Sequence, residues 1–139
     1  MPLYTIATRK PLAEDLRFAI AQTITDVHCG LTGAPPEFVN VIFMTGYRMR
    51  RGCVLGLNGN VRIGGNRGRQ LYEDLNKTLH AEVAKTSGID PTQVFVKLIG
   101  VEFNWVVEGA MTMPAPGDEG DWLERKNALH AAMGIAKVA

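Results

Sequence analysis

The sequence predicts an α/β protein made of two consecutive β-α-β units, giving a four-stranded sheet with two helices on one face. Three observations carry this. Short apolar runs rich in strand formers occur at "MPLYTIAT", "FVNVIFM", "VRIGG" and "VFVKLIG". Two long segments between them repeat apolar residues at helical spacing. Glycine- and proline-rich turns separate strand from helix each time.

The first strand runs from Pro2, where a missing N–H is harmless at a strand start. "RKPLAED" then marks a helix start, with Pro11 near its beginning and Glu14 and Asp15 in its first turn. Leu12, Leu16, Ala19, Ile20, Thr23, Ile24 and Val27 recur at helical spacing, and Gly30 and Gly33 end the helix. "FVNVIFM" reads as a buried strand, and "TGYRMRRGCVLGLNGN", with its Asn-Gly step, as loop or hairpin. The pattern repeats: strand "VRIGG", a helix over "NRGRQLYEDLNKTLHAEVAKTSG" with Leu71, Leu75, Leu79 and Val83 on one stripe, turn "IDPTQ", strand "VFVKLIG". From Pro114 a polar turn leads to an amphipathic helix carrying Trp122, Leu123, Leu129 and Met133. Helices on one face leave the other face of the sheet bare, which predicts an oligomer.

Bulk properties narrow the function. A chain of 139 residues is expected to form one domain, residues 1–139. A net charge of +1 gives no case for nucleic-acid binding, and no apolar run nears the ~20 residues of a membrane span. No basic segment followed by an apolar stretch opens the chain, so export is not expected. Cys29 and Cys53 have neither metal nor redox spacing and read as reduced thiols of a cytoplasmic protein.

Several residues could carry chemistry. Pro2 follows the initiator methionine, and small second residues permit methionine removal. That would leave a secondary amine on a rigid ring; an α-amino group titrates near neutrality, about 7.7–8.0, and can act as acid or base. Arg67 and Arg69 are expected in the first turn of the second helix, where cations are disfavoured by the helix dipole. They read either as a solvated basic turn or, beside accessible amides of Gly64, Gly65 and Gly68, as a carboxylate or phosphate site. "GGNRGR" has neither dinucleotide-binding nor P-loop spacing. Glu108, in "NWVVEGAM", is either a strand residue facing water or a carboxylate in apolar surroundings, suited to general acid–base work. His28 ends the first helix, where a cationic ring would cap the dipole. Lys97 interrupts "VFVKLIG" as an outward-facing lysine or a buried amine turned to a site. His80 and His130 read as surface residues.

Together these features resemble the tautomerase superfamily, whose members carry a catalytic amino-terminal proline at the start of a β-α-β unit. More narrowly, the chain is similar to the cis-3-chloroacrylic acid dehalogenase group. The carriers are Pro2 in "MPLYTIAT", the stretch "TITDVHCGLTG", the arginines of "NRGRQ" and "VVEGAM" followed by "PAPGDEGDW". The resemblance spans nearly the whole chain. It implies a site of Pro2, His28, Arg67, Arg69 and Glu108, with no cofactor and no metal, in a homotrimer. Two departures stand out: the arginine spacing is one residue shorter, and the group's tyrosine position falls on Lys97. In that group tyrosine and glutamate activate water while protonated proline gives a proton to carbon. An ammonium near Pro2 would favour the neutral amine, a base. The expected function is therefore a keto–enol tautomerase of small 2-oxo acids. Pro2 shuttles the proton, Arg67 and Arg69 hold the carboxylate, His28 orients substrate, and Glu108 relays protons. Hydration or hydrolytic dehalogenation of a short unsaturated acid on the same residues, and non-catalytic carboxylate binding, are the alternatives.

Overall fold

The computed structural model describes residues 2–135. Met1, whose removal the sequence suggests, lies outside the described residues, as do residues 136–139. The described chain falls into two compact units: residues 2–61 with 69–100, and residues 62–68 with 101–135.

The first unit holds most of the expected sheet. β1 (Pro2–Thr8) pairs in parallel with β2 (Asn40–Thr45) and antiparallel with β3 (Leu55–Ile63); β4 (Val94–Glu102) lies on the far side of β3. The order β2-β1-β3-β4 makes a mixed four-stranded sheet. The β1-to-β2 crossover is α1 (Glu14–Thr32), and α2 (Arg69–Ser87) follows β3. Ile20, Ile24 and His28 of α1 and Leu75, Leu79, Val83 and Ala84 of α2 are the buried positions of their helices. The apolar residues among them pack with Tyr4, Ile6, Leu55, Leu57, Val61 and Val94 into one core. Each fully buried aliphatic side chain contributes about 1.5–3 kcal/mol. The two helices also meet through Thr23 and Thr86, whose hydroxyls lie 2.8 Å apart.

Helix ends follow local chemistry. α1 begins at Glu14, three residues beyond Pro11, and stops at Gly33, whose left-handed φ of 71° lets its N–H reach the Cys29 carbonyl. The "IDPTQ" turn is a single 3₁₀ turn, Pro91–Gln93, with the Asp90 carboxylate accepting from the Thr92 N–H and hydroxyl.

One reading from sequence is corrected. "LGLNGN" is not a turn but the first two thirds of β3. Asn58-Gly59 sits mid-strand because Gly59 is the register partner of Tyr4. A Cβ there would lie 2.6 Å from Tyr4 Cε1 and 2.8 Å from Leu98 Cδ2. Glycine is present for close approach, not for a bend.

The second unit contains a feature that periodicity did not disclose, a minimal hairpin of β5 (Val107–Glu108) and β6 (Met111–Thr112). Its two-residue turn, Gly109-Ala110, has positive φ at both positions, 59° and 63°, as a tight mirror-image turn requires. α3 (Glu119–Ala132) completes the unit. Trp122, 1% exposed, donates from its indole to the Thr112 carbonyl at 2.8 Å, whereas Trp105 is 80% exposed. Among the described residues, no helix is long and apolar enough to cross a membrane.

Candidate functional site

The predicted residues divide between the units: Pro2, His28, Arg69 and Lys97 belong to the first, Arg67 and Glu108 to the second.

In the first unit, Pro2 is buried at the head of β1. Strand alternation puts it on the same side as Tyr4 and Ile6, which face the helices. His28 does not cap α1. It lies a turn before the helix end, fully buried, with Nδ1 2.7 Å from the Tyr4 hydroxyl. Burial at that position, on the stripe of Ile20 and Ile24, turns a capping ring into a core ring.

Lys97 takes the outward alternative. Val94, Val96 and Leu98 of β4 belong to the core, so Lys97 shares the opposite face with the exposed Phe95 and Ile99. Alternation therefore separates Lys97 and Pro2 onto opposite faces of one sheet.

The arginines do not form a pair at a helix start. Arg69 opens α2, its side chain 92% exposed and bonded at 2.8 Å to Glu73 one turn on. Arg67 precedes the helix in a tight loop, where its N–H bonds the Gly64 carbonyl at 3.2 Å. Its side chain turns inward, 7% of the residue remains exposed, and Nη1 donates to the Arg62 carbonyl at 3.2 Å. Two residues of loop are enough to send the two guanidiniums to different environments.

Arg62 is the residue that sequence reasoning missed. With 2% side-chain exposure it donates to the Pro114 carbonyl (2.6 Å) and to Glu119 Oε1 (2.8 Å), while Glu119 Oε2 accepts from the Gly117 N–H at 2.9 Å. The Asn66 N–H bonds the Pro116 carbonyl at 3.1 Å, and a Cβ on Gly65 would stand 2.2 Å from that oxygen. The loop bearing Arg67 and the "PAPGDEG" segment are thus fastened together. Burial raises the Glu119 carboxyl, but hydrogen bonds from Arg62, from its own N–H and from Gly117, with the Arg62 charge, hold it below the usual carboxylate range.

Glu108 ends β5 half-buried. The neighbours expected to enclose it in apolar surroundings, Trp105 and Val107, are exposed; Val106 is buried. The adjoining turn is gripped by α3, where His130 Nε2 lies 2.8 Å from the Gly109 carbonyl. His80 likewise has partners, the Pro91 and Val94 carbonyls. A cleft of about 490 Å³ in this unit is lined by Pro114, Gly117, Asp118, Gly120, Asp121 and Arg125, none of them a predicted site residue. The Cys29 thiol, raised by burial and then by Asp26 and Glu37, is a poor nucleophile at neutral pH.

Among solved structures, the chain matches N1, a member of the cis-3-chloroacrylic acid dehalogenase family, with 23% identity over 96% of this chain and 99% of that one, at a TM-score of 0.80. It matches Pt0534, solved after inactivation by 2-oxo-3-pentynoate, with 21% identity over 79% of this chain and 95% of that one, TM-score 0.65. A wild-type fused 4-OT, an asymmetric trimer, matches at 13% identity over 79% and 94%, TM-score 0.66. No family model and no curated protein matches the sequence. On the strength of these structures, the chain has the fold of the tautomerase superfamily.

Proposed function

We propose that the chain is a cofactor-independent keto–enol tautomerase of small 2-oxo acids, working as a cytoplasmic homotrimer with Pro2 as base. The observation that carries this reading is Pro2 itself, buried at the head of β1 on the side of the sheet where Tyr4 holds His28. Freed of Met1, the Pro2 nitrogen has a lone pair near neutral pH. It takes a proton from the carbon next to the carbonyl; the C–H electrons form the C=C bond and the carbonyl π pair moves to oxygen. The protonated amine returns that proton to carbon in the reverse sense. Arg67 holds the substrate carboxylate through a charge-assisted pair, and Glu108 relays protons to oxygen. Arg69 serves as a second carboxylate contact only by leaving Glu73. Lys97 serves only from a neighbouring copy that covers the bare sheet face. The homotrimer is supported by that face, with Ile42, Phe95 and Ile99 exposed, and by the trimeric fused 4-OT.

A second reading, hydration or dehalogenation of a cis-3-haloacrylate-type acid, is favoured by the likeness to N1. It lacks the phenol that the resembled group uses with glutamate, since Lys97 stands at that position. Acylating the processed amino terminus should abolish turnover of an enolised 2-oxo acid, and Pro2→Ala should reduce it. Full activity after acylation would overturn the role of Pro2. Halide release from cis-3-haloacrylate faster than tautomerisation would select the second reading. Carboxylate binding without turnover of either substrate would leave a binding protein.

A further inference from the structure

The hairpin that bears Glu108 is too small to hold itself. Its strands are two residues each, Val107–Glu108 and Met111–Thr112, closed at the base by the Met113 N–H bonding the Val106 carbonyl at 2.8 Å. A lone two-stranded hairpin is marginal in water even at ordinary strand lengths. Its turn adds a cost, since Ala110 keeps a left-handed φ of 63°.

α3 supplies what the hairpin lacks, through one stripe of side chains. Trp122, Lys126 and His130 are four residues apart, so they line one side of the helix over about 12 Å. The Trp122 indole donates to the Thr112 carbonyl of β6 at 2.8 Å, and the Lys126 ammonium lies 5.4 Å from the Trp122 ring. At the far end of the stripe, His130 Nε2 lies 2.8 Å from the Gly109 carbonyl, on the residue that follows Glu108. A carbonyl only accepts, so Nε2 carries the proton whether the ring is neutral or cationic. The fit is close: a Cβ on Gly109 would stand 3.1 Å from His130 Cε1 and Nε2 and 3.3 Å from Lys126 Cδ. Trp122 anchors a strand of the hairpin and His130 anchors its turn.

We propose that His130 is a positioning residue: by donating to the Gly109 carbonyl it fixes the turn, and so fixes where the neighbouring Glu108 carboxylate stands. The inference rests on the tautomerase reading, in which Glu108 relays protons. A misplacement of about 1 Å in a reacting group can lower a rate on the order of 100-fold, so the bond has a kinetic consequence although His130 touches no substrate.

Two measurements test this, with His130→Ala removing the donor and His130→Gln keeping an N–H able to reach the same carbonyl. Hydrogen exchange of the hairpin amides, followed by mass spectrometry, should be faster in His130→Ala and restored toward wild type in His130→Gln. Unchanged exchange in His130→Ala overturns the clasp. With equal amounts of folded protein and a 2-oxo acid as substrate, His130→Ala should lower kcat roughly five- to hundredfold with KM changed less than about twofold, and His130→Gln should recover most of it. Combined with Glu108→Gln, His130→Ala should add almost nothing to the loss from Glu108→Gln alone. Losses that multiply, or a kcat within about twofold of wild type in His130→Ala, overturn the positioning role. Full activity in Glu108→Gln, or no tautomerase activity in the wild-type protein, removes the functional reading of Glu108, while the exchange data still decide the clasp.

Discussion

Replacing Glu119 by glutamine keeps the shape of the side chain and removes only its charge. Arg62 then retains its bond to the Pro114 carbonyl but faces an amide where a carboxylate stood. A hydrogen bond between charged partners contributes about 1.5–3 kcal/mol against about 0.5–1.5 for a neutral one. Removing one partner of a buried pair outright costs about 3–5 kcal/mol. Arg62 is buried to 2% of its side-chain surface, but Glu119 keeps 19%, so water relieves part of that cost. Glu119→Gln should therefore lose about 2–3 kcal/mol, between those limits. For a chain of this size that is a Tm fall of roughly 6–12 °C. The pH dependence gives a sharper check. The folded Glu119 carboxyl lies below its usual value, so its stabilisation is fully present above the unfolded pKa of about 4.3. It is lost as pH falls through the lower folded value. Urea titrations of wild type and variant at pH 7 should differ by the full amount, and the gap should close below about pH 4. A Tm shift under about 2 °C, or a gap that persists unchanged into strong acid, would refute the buried-clasp reasoning. A double-mutant cycle with Arg62→Met should return a coupling of at least about 1 kcal/mol.

Gly59→Ala should destabilise by about 1–3 kcal/mol, because the new Cβ meets the Tyr4 ring at 2.6 Å; urea midpoints would show it. Ala110→Gly should stabilise by up to about 1 kcal/mol, since φ of 63° is strained for alanine and free for glycine, read as a raised urea midpoint. Arg67→Ala should lower kcat/KM for acidic substrates by about 2–4 kcal/mol of transition-state binding, chiefly through KM, and spare substrates without a carboxylate. An equal loss on both classes would point to folding rather than binding. Intact-mass measurement of active protein should show Met1 removed; quantitative retention would end the role of Pro2.

The elements set by local patterning were legible from the residues alone. The stripe through Ile20 and Ile24, that through Leu75, Leu79 and Val83, and the apolar run of β1 each record their own burial, whereas β2, read as a buried strand, and β4 are covered on one face only and leave Ile42, Phe95 and Ile99 exposed. What could not be read depended on distant partners. Asn58-Gly59 has the composition of a turn, and only Tyr4, across the sheet, makes it strand. Arg62 looks like an ordinary charge beside Val61, because Glu119 stands 57 positions later. Arg67 and Arg69 carry the same side chain two residues apart, and only the fold separates a buried guanidinium from a solvated one. The β5–β6 hairpin left little to read: its strands are the pairs Val107-Glu108 and Met111-Thr112, and alanine is an uncommon choice at the left-handed position of Ala110.

The two tryptophans give the chain a built-in optical reporter with an uneven field of view. Both belong to the second unit, and the first contains none. Trp105, at 80% exposure, should emit like a solvated indole and quench readily with iodide, in the folded and the unfolded chain alike. Trp122, 1% exposed with the Lys126 ammonium 5.4 Å from its ring, should be shielded until its surroundings open. Indole fluorescence therefore follows the disassembly of residues 62–68 and 101–135, whereas the far-ultraviolet circular dichroism is dominated by α1 and α2 of the other unit. Overlaying the two denaturation curves turns a choice of wavelength into a measure of cooperativity: coincident transitions mean that the two units melt as one, and separated transitions resolve the melting of each.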